Sequence, residues 1–138
     1  MEFGVKTVAN LTEDVFRAID YIDLDYGLEC CADMLELYVQ VVSGYVRRDN
    51  KLEALRKAFE EKNWESYQVN VHAVKSSSLL IGIKDLSEEA KSLEYSLKED
   101  NLPFLLENHE RIMNHYESVI SDLSSILEEY NVEDCDGF

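Results

Sequence analysis

From Asp33 to Tyr130 the apolar residues fall three and four apart with few interruptions, the spacing of α-helices that bury one stripe in a bundle. Tyr38, Val41 and Tyr45 lead into Leu52, Leu55 and Phe59 with a gap at Arg48. The register survives Gly44 and Asp49-Asn50, so the pattern predicts one bent helix there. Asn63 is placed to cap a second helix starting at Trp64, with the stripe Tyr67, Val71, Val74, Ser78 and Ile81. Gly82 stands where a C-terminal cap glycine belongs. A third helix opens with Asp85 and Glu88 and turns Leu86, Ala90, Leu93 and Leu97 inward. Pro103 suits the first turn of a fourth, whose stripe is Leu105, His109, Ile112, Tyr116, Val119, Leu123, Ile126 and Tyr130.

Upstream, Asn10 followed by Glu13 reads as a capping pair for a short helix with Leu11, Val15 and Ile19 on one face, ending near Tyr21. YIDLDYGLEC then breaks the pattern and reads as a connector. Short links between long amphipathic helices make neighbours antiparallel. The fold class expected is all-α: an antiparallel four-helix bundle with a short additional N-terminal helix. It forms a single domain over 1–138 with its bundle core at about 33–130, and 1–10 and 131–138 fray.

Composition narrows the function. The net charge is −16, from 29 acidic and 13 basic residues. That disfavours nucleic acid, whose phosphates need a basic face. No run approaches the ~18 apolar residues of a membrane span, and MEFGVKTVANLTED has neither a basic start nor an apolar signal core. The expectation is a cytoplasmic protein that does not engage membranes; it is either free-standing or a piece of a larger chain, with Met1 and the tail slightly favouring the first. Cys30, Cys31 and Cys135 make no disulfide framework or CxxC pair. No GxxxxGK[ST] or GxGxxG loop occurs, so no ATP site is expected. His109 and His115 lie six apart, the wrong spacing for two ligands on one helix face, and no metal site is expected. His109 falls on the apolar seam of its helix as a core histidine, and His115 at the seam's edge.

His72 is different. With Tyr67 at 0° and about 100° per residue, the inward stripe stays within about 40° of that line, whereas His72 points about 140° away. Ser76 lies near 180°, Leu79 near 120°, Gln68 near 100° and Lys75 near 80° on the same scale. His72 therefore faces solvent mid-helix. A neutral imidazole is a nucleophile whose charge changes near physiological pH. Lys75 can neutralise phosphoryl oxygens, Ser76 leaves room for an approaching protein, and Leu79 offers an apolar contact. Such a group suits phosphoryl handover between proteins, which needs mainly positioning and charge stabilisation.

HAVKSSSLLIG, residues 72–82, closely resembles the H-x-L-K-G-[SA]-x-x-x-x-G signature of histidine-containing phosphotransfer (HPt) domains. IDLDYGL, ELYVQVV and KNWES resemble the flanking segments of that family, so the likeness runs over about residues 20–125. It implies that His72 is phosphorylated on Nε2 and that Lys75 stabilises the phosphoryl group, while Gly82 takes the family's later glycine position. Gln68, Ser76 and Leu79 are then the partner-binding surface. Ser76 replaces the family's usual glycine, trimming the space beside the histidine, and Val74 replaces its usual leucine. The implied role is a phosphorelay intermediate, taking a phosphoryl group from a receiver-domain aspartyl phosphate and passing it to another receiver. The implied partners are response-regulator receiver domains and a hybrid histidine kinase. The chain would be a monomeric covalent carrier rather than an enzyme, without a cofactor of its own, Mg²⁺ residing in the receiver. Docking is expected through the apolar strip around Leu79, with the acidic groups on other faces.

Three other readings compete. A helical adaptor that never carries phosphate would have no need of the His72–Lys75 pair. A kinase dimerisation module would be a helical hairpin with an acidic residue after its histidine, where this chain has Ala73. An enzyme using His72 as general base would need a pocket and a second catalytic group, and the sequence offers neither.

Overall fold

The computed structural model describes residues 11–133, and among these the chain is helical with no strand. The helices are α1 (Glu13–Arg17), α2 (Leu24–Cys30), α3 (Leu35–Val46), α4 (Leu52–Glu60), α5 (Trp64–Leu80), α6 (Lys84–Lys98) and α7 (Leu102–Glu129). No helix is long and apolar enough to cross a membrane among the described residues. Packing runs round a ring: α5 lies between α4 and α6, α6 meets α7, and α7 returns to α3 and α4. This is the antiparallel four-helix bundle that the periodicity predicts, with α3 and α4 together filling one position.

One device ends most of the helices. The α2, α4, α5, α6 and α7 C-termini each close with an N–H bonding back five residues: Asp33 to Leu28, Asn63 to Ala58, Ile83 to Ser78, Asn101 to Ser96 and Val132 to Leu127. The residue before each of those donors takes a positive φ, as this closing motif requires. Asn63 and Asn101 then act twice, because each also caps the next helix by accepting from the backbone of Ser66 and Phe104. That double use shortens the α4–α5 and α6–α7 links to three residues, and such short links make neighbours antiparallel.

Only at α5 is the positive-φ residue a glycine. Ala32, Lys62, Asp100 and Asn131 manage the same conformation elsewhere. Gly82 (φ +87°) is different because a Cβ there would run into the backbone carbonyl of Asp23. Asp23 N–H donates to the Gly82 carbonyl at 2.8 Å, and Lys84 pairs with the Asp23 carboxylate at 2.8 Å. The α2 start is thereby sewn to the α5–α6 turn. Tyr38 and Tyr45 of α3 reach the same end of α5, their hydroxyls bonding the Ile81 carbonyl and Ser78 Oγ, each at 2.7 Å.

Four expectations change. YIDLDYGLEC is not merely a connector, since Leu24–Cys30 is helical with Asp23 as its cap, accepting from Tyr26 N–H. The bent helix from Asp33 is two helices. Asn50 bridges the break by accepting from Leu52 N–H and donating to the Val46 carbonyl, and Lys51 N–H donates to the Tyr116 hydroxyl. These side chains satisfy the backbone groups a continuous helix would have paired, so the break is stable while the apolar register carries on. The first helix starts at Glu13 behind Thr12; Asn10, the expected cap, lies outside the described residues. The tail, expected to fray from 131, begins with Val132 buried against the bundle. The expectations for 1–10 and for the remainder of the tail, 134–138 with Cys135, lie outside the described residues.

Candidate functional site

The inward stripe of α5 is buried as the spacing predicts: Tyr67, Val71, Val74, Ser78 and Ile81 are at most 2% exposed. That leaves His72 on the outer side, its side chain 55% exposed. Around it α5 presents Gln68, half-buried, with Ser76 and Leu79 exposed. Val69, 66% exposed, adds an apolar side chain one turn before the histidine. An open hollow of about 520 Å³ lies there, lined by Glu65, Gln68, Val69, His72 and Glu94.

Glu94 is the residue that sequence reasoning missed. It projects from α6, which Ser87 ties to α5 by donating to the Lys75 carbonyl at 2.8 Å. Its side chain is only 3% exposed, and Oε2 lies 2.8 Å from His72 Nδ1. Lys75 Nζ is 3.0 Å from Oε1, an ion pair without well-aligned hydrogen-bond geometry, and Lys98 Nζ is 3.4 Å from Oε2. Burial alone raises the carboxyl's pKa, but the contacts of Lys75 and His72 together outweigh it and hold it below the ordinary glutamate value. An ionised carboxylate only accepts, so His72 Nδ1 is the protonated nitrogen of the pair. In the neutral ring the lone pair then belongs to Nε2, on the other side from Glu94.

The sequence did carry a signal for this. Glu94 stands four residues after Ala90 and three before Leu97, a charge at the border of the apolar stripe of α6. A buried acid in such a place needs partners: His72 and Lys75 come from α5, and Lys98 from α6 itself.

The structure groups Gln68, His72, Lys75, Ser76 and Leu79 on one side of α5, with Lys75 engaged by Glu94 rather than standing alone. The other histidines have separate surroundings. His109 is 6% exposed, its Nδ1 2.7 Å from the Tyr67 hydroxyl and its ring stacked on Phe59 at 3.7 Å. Burial first, and the Arg56 charge second, pull its pKa down to about 4. His115 Nδ1 lies 2.6 Å from Glu89, which Arg111 also holds. Cys30 is exposed and Cys31 buried. Among the described residues no three metal-ligating side chains converge.

The outer face of α5 thus offers a solvent-facing nucleophile, fixed in orientation from behind, with cations beside it and low apolar relief around it. A comparison with protein families finds the Hpt domain model matching residues 33–125. No curated protein and no solved structure matches the chain.

Proposed function

Because this chain belongs to the Hpt domain family, we propose that it is a phosphorelay intermediate that carries a phosphoryl group on His72 Nε2. Phosphotransfer in two-component signalling is the work of the family, whose members are phosphocarrier modules that meet receiver domains. The observation that carries the assignment to His72 is the bond from its Nδ1 to the buried Glu94 carboxylate.

In the reaction, the Nε2 lone pair attacks phosphorus of a receiver's aspartyl phosphate. The P–O bond to the aspartyl group breaks and its electron pair stays on the departing carboxylate. The ring becomes positive as the N–P bond forms, with the Nδ1 proton still on the ring facing Glu94. A buried, already ionised carboxylate meets that charge without reorganising, which is where fixed electrostatics act most strongly. Lys75 faces the phosphoryl oxygens. The reverse steps deliver the group to a second receiver. Mg²⁺ belongs to the receiver's acidic pocket, and the domain works without a cofactor, as a monomer in the cytoplasm. Val69, Leu79 and Leu80, all exposed, form the apolar relief on which a receiver docks, with Gln68 and Ser76 between them.

The test is phosphotransfer from purified, phosphorylated receiver domains in the presence of Mg²⁺, beside a His72→Gln variant. The wild type should gain an acid-labile, alkali-stable phosphate and the variant none. Equal labelling of both proteins removes His72 as the carrier. Binding of receivers without labelling by any of them would instead make the domain an adaptor.

A further inference from the structure

The recognised motif supplies one cation, Lys75, but the structure places two lysines on Glu94. The second is Lys98, on α6, one turn beyond Glu94 and outside residues 72–82. Two ammonium groups share a single buried carboxylate, so with His72 neutral this cluster carries a surplus positive charge within a chain of net charge −16.

The two lysines are held differently. Lys75 sits 3.0 Å from Oε1 with its side chain 26% exposed. Lys98 sits at the longer distance of 3.4 Å, from the oxygen that His72 Nδ1 already occupies, and half of its side chain is exposed. Of the two, Lys98 has the weaker hold and the freer stem. A phosphoryl group on Nε2 brings close to two negative charges to the same edge of α5. Oε2, meanwhile, is drawn more strongly to the ring, which has become positive. The second change loosens Lys98 from Glu94, and the first offers it a dianion at the far edge of the same imidazole ring.

We infer that Lys98 is a second phosphoryl-stabilising cation, held in waiting by Glu94 and released to the phosphohistidine once it forms. This rests on the assignment of the carrier role to His72. It makes Glu94 a storage point for charge as well as the group that orients the ring. The acidic Glu65 on the rim of the hollow opposes an anion there, which adds to the need for a cation beyond Lys75.

Phosphoramidate tests this without a cognate partner. Its P–N bond breaks, the N–P bond to His72 Nε2 forms and ammonia leaves, so the phosphorylated domain can be made directly. Loss of phosphohistidine is followed by 31P NMR for the wild type, Lys98→Gln and Lys98→Arg, with thermal unfolding of each measured in parallel. Lys98→Gln should shorten the half-life about three- to ten-fold, the range of one ordinary net hydrogen bond, as fits a half-exposed side chain. It should also move the 31P resonance and leave the melting temperature unchanged, and Lys98→Arg should restore both the half-life and the resonance. A Lys98→Gln phosphohistidine with wild-type half-life and resonance overturns the inference while leaving His72 as the carrier. A wild type that takes no phosphoryl group on His72 removes both.

Discussion

A histidine can act as a nucleophile only from a nitrogen that carries no proton, and in a free ring either nitrogen can hold it. Here Glu94 decides, and that choice has a measurable consequence. Replacing Glu94 by Gln puts an amide at the same place, which can donate to Nδ1 as well as accept from it. The ring would then spend part of its time with the proton on Nε2. The initial rate of transfer from a phosphorylated receiver should fall about ten-fold or more, in line with what fixed electrostatics supply at reacting centres. The His72 nitrogen shifts in NMR should report the mixed tautomer. An unchanged rate would mean that Glu94 serves only packing. His72 and Lys75 were legible because they share one helix, where three residues of spacing fixes their relative placement. Glu94 comes from a second helix, and periodicity within one helix does not say which residue of a neighbour lies opposite. Val69 was passed over for another reason: an exposed valine is unremarkable until the hollow beside it is visible.

Between helices, the links decide more than the stripes do. Periodicity placed the inward faces of α5, α6 and α7 correctly, since apolar burial over many turns leaves a clear pattern. It did not register the break between α3 and α4, because both helices face one core and a bridged interruption leaves the register intact. What makes the break is polar and local, Asn50 on its two backbone neighbours and Tyr116 on Lys51. The helix α2 escaped notice because it spans only Leu24–Cys30, two turns whose buried residues are Leu24, Gly27 and Leu28, too few to establish a period. Gly82 read simply as a cap glycine, yet the structure gives it a second task. Gly82→Ala would meet both the positive φ and the Asp23 carbonyl. The first alone costs roughly 1–2 kcal/mol, and the second forces α2 away from the turn. Chemical denaturation should show a loss above about 2 kcal/mol. An Asn131→Ala change, at an exposed positive-φ site that already carries a Cβ, should lose less. Equal losses at the two positions would show that the contact with Asp23 contributes nothing.

For the molecule as a whole, one pH lever lies away from the face that carries His72. His109 packs in the seam of α7 against Phe59 and Tyr67, with Arg56, Glu60 and Glu110 lining the hollow beside it. Its pKa is about 4 in the folded protein against 6.5 as the ordinary value. The unfolded chain therefore binds a proton over that interval that the folded chain refuses. Stability from this group is fully present above pH 6.5 and falls as the pH drops toward and through 4. The lowered Glu94 carboxyl acts with the same sign, its contribution being lost as the pH falls below the ordinary glutamate range. Acid also relieves the repulsion within a chain of net charge −16, which works the other way over the same window. The two effects separate in a His109→Gln variant, which keeps the acidic surface and removes the titration. Unfolding free energies measured in urea between pH 7 and 4 should decline more steeply for the wild type than for the variant. The difference in slope should be at most about 1.4 kcal/mol per pH unit, the limit for one proton. Parallel slopes would place the acid sensitivity in the carboxylates, Glu94 among them. The variant also loses the bond between Tyr67 and His109 Nδ1, so its stability at pH 7 drops in either case, and only the slope tests the titration.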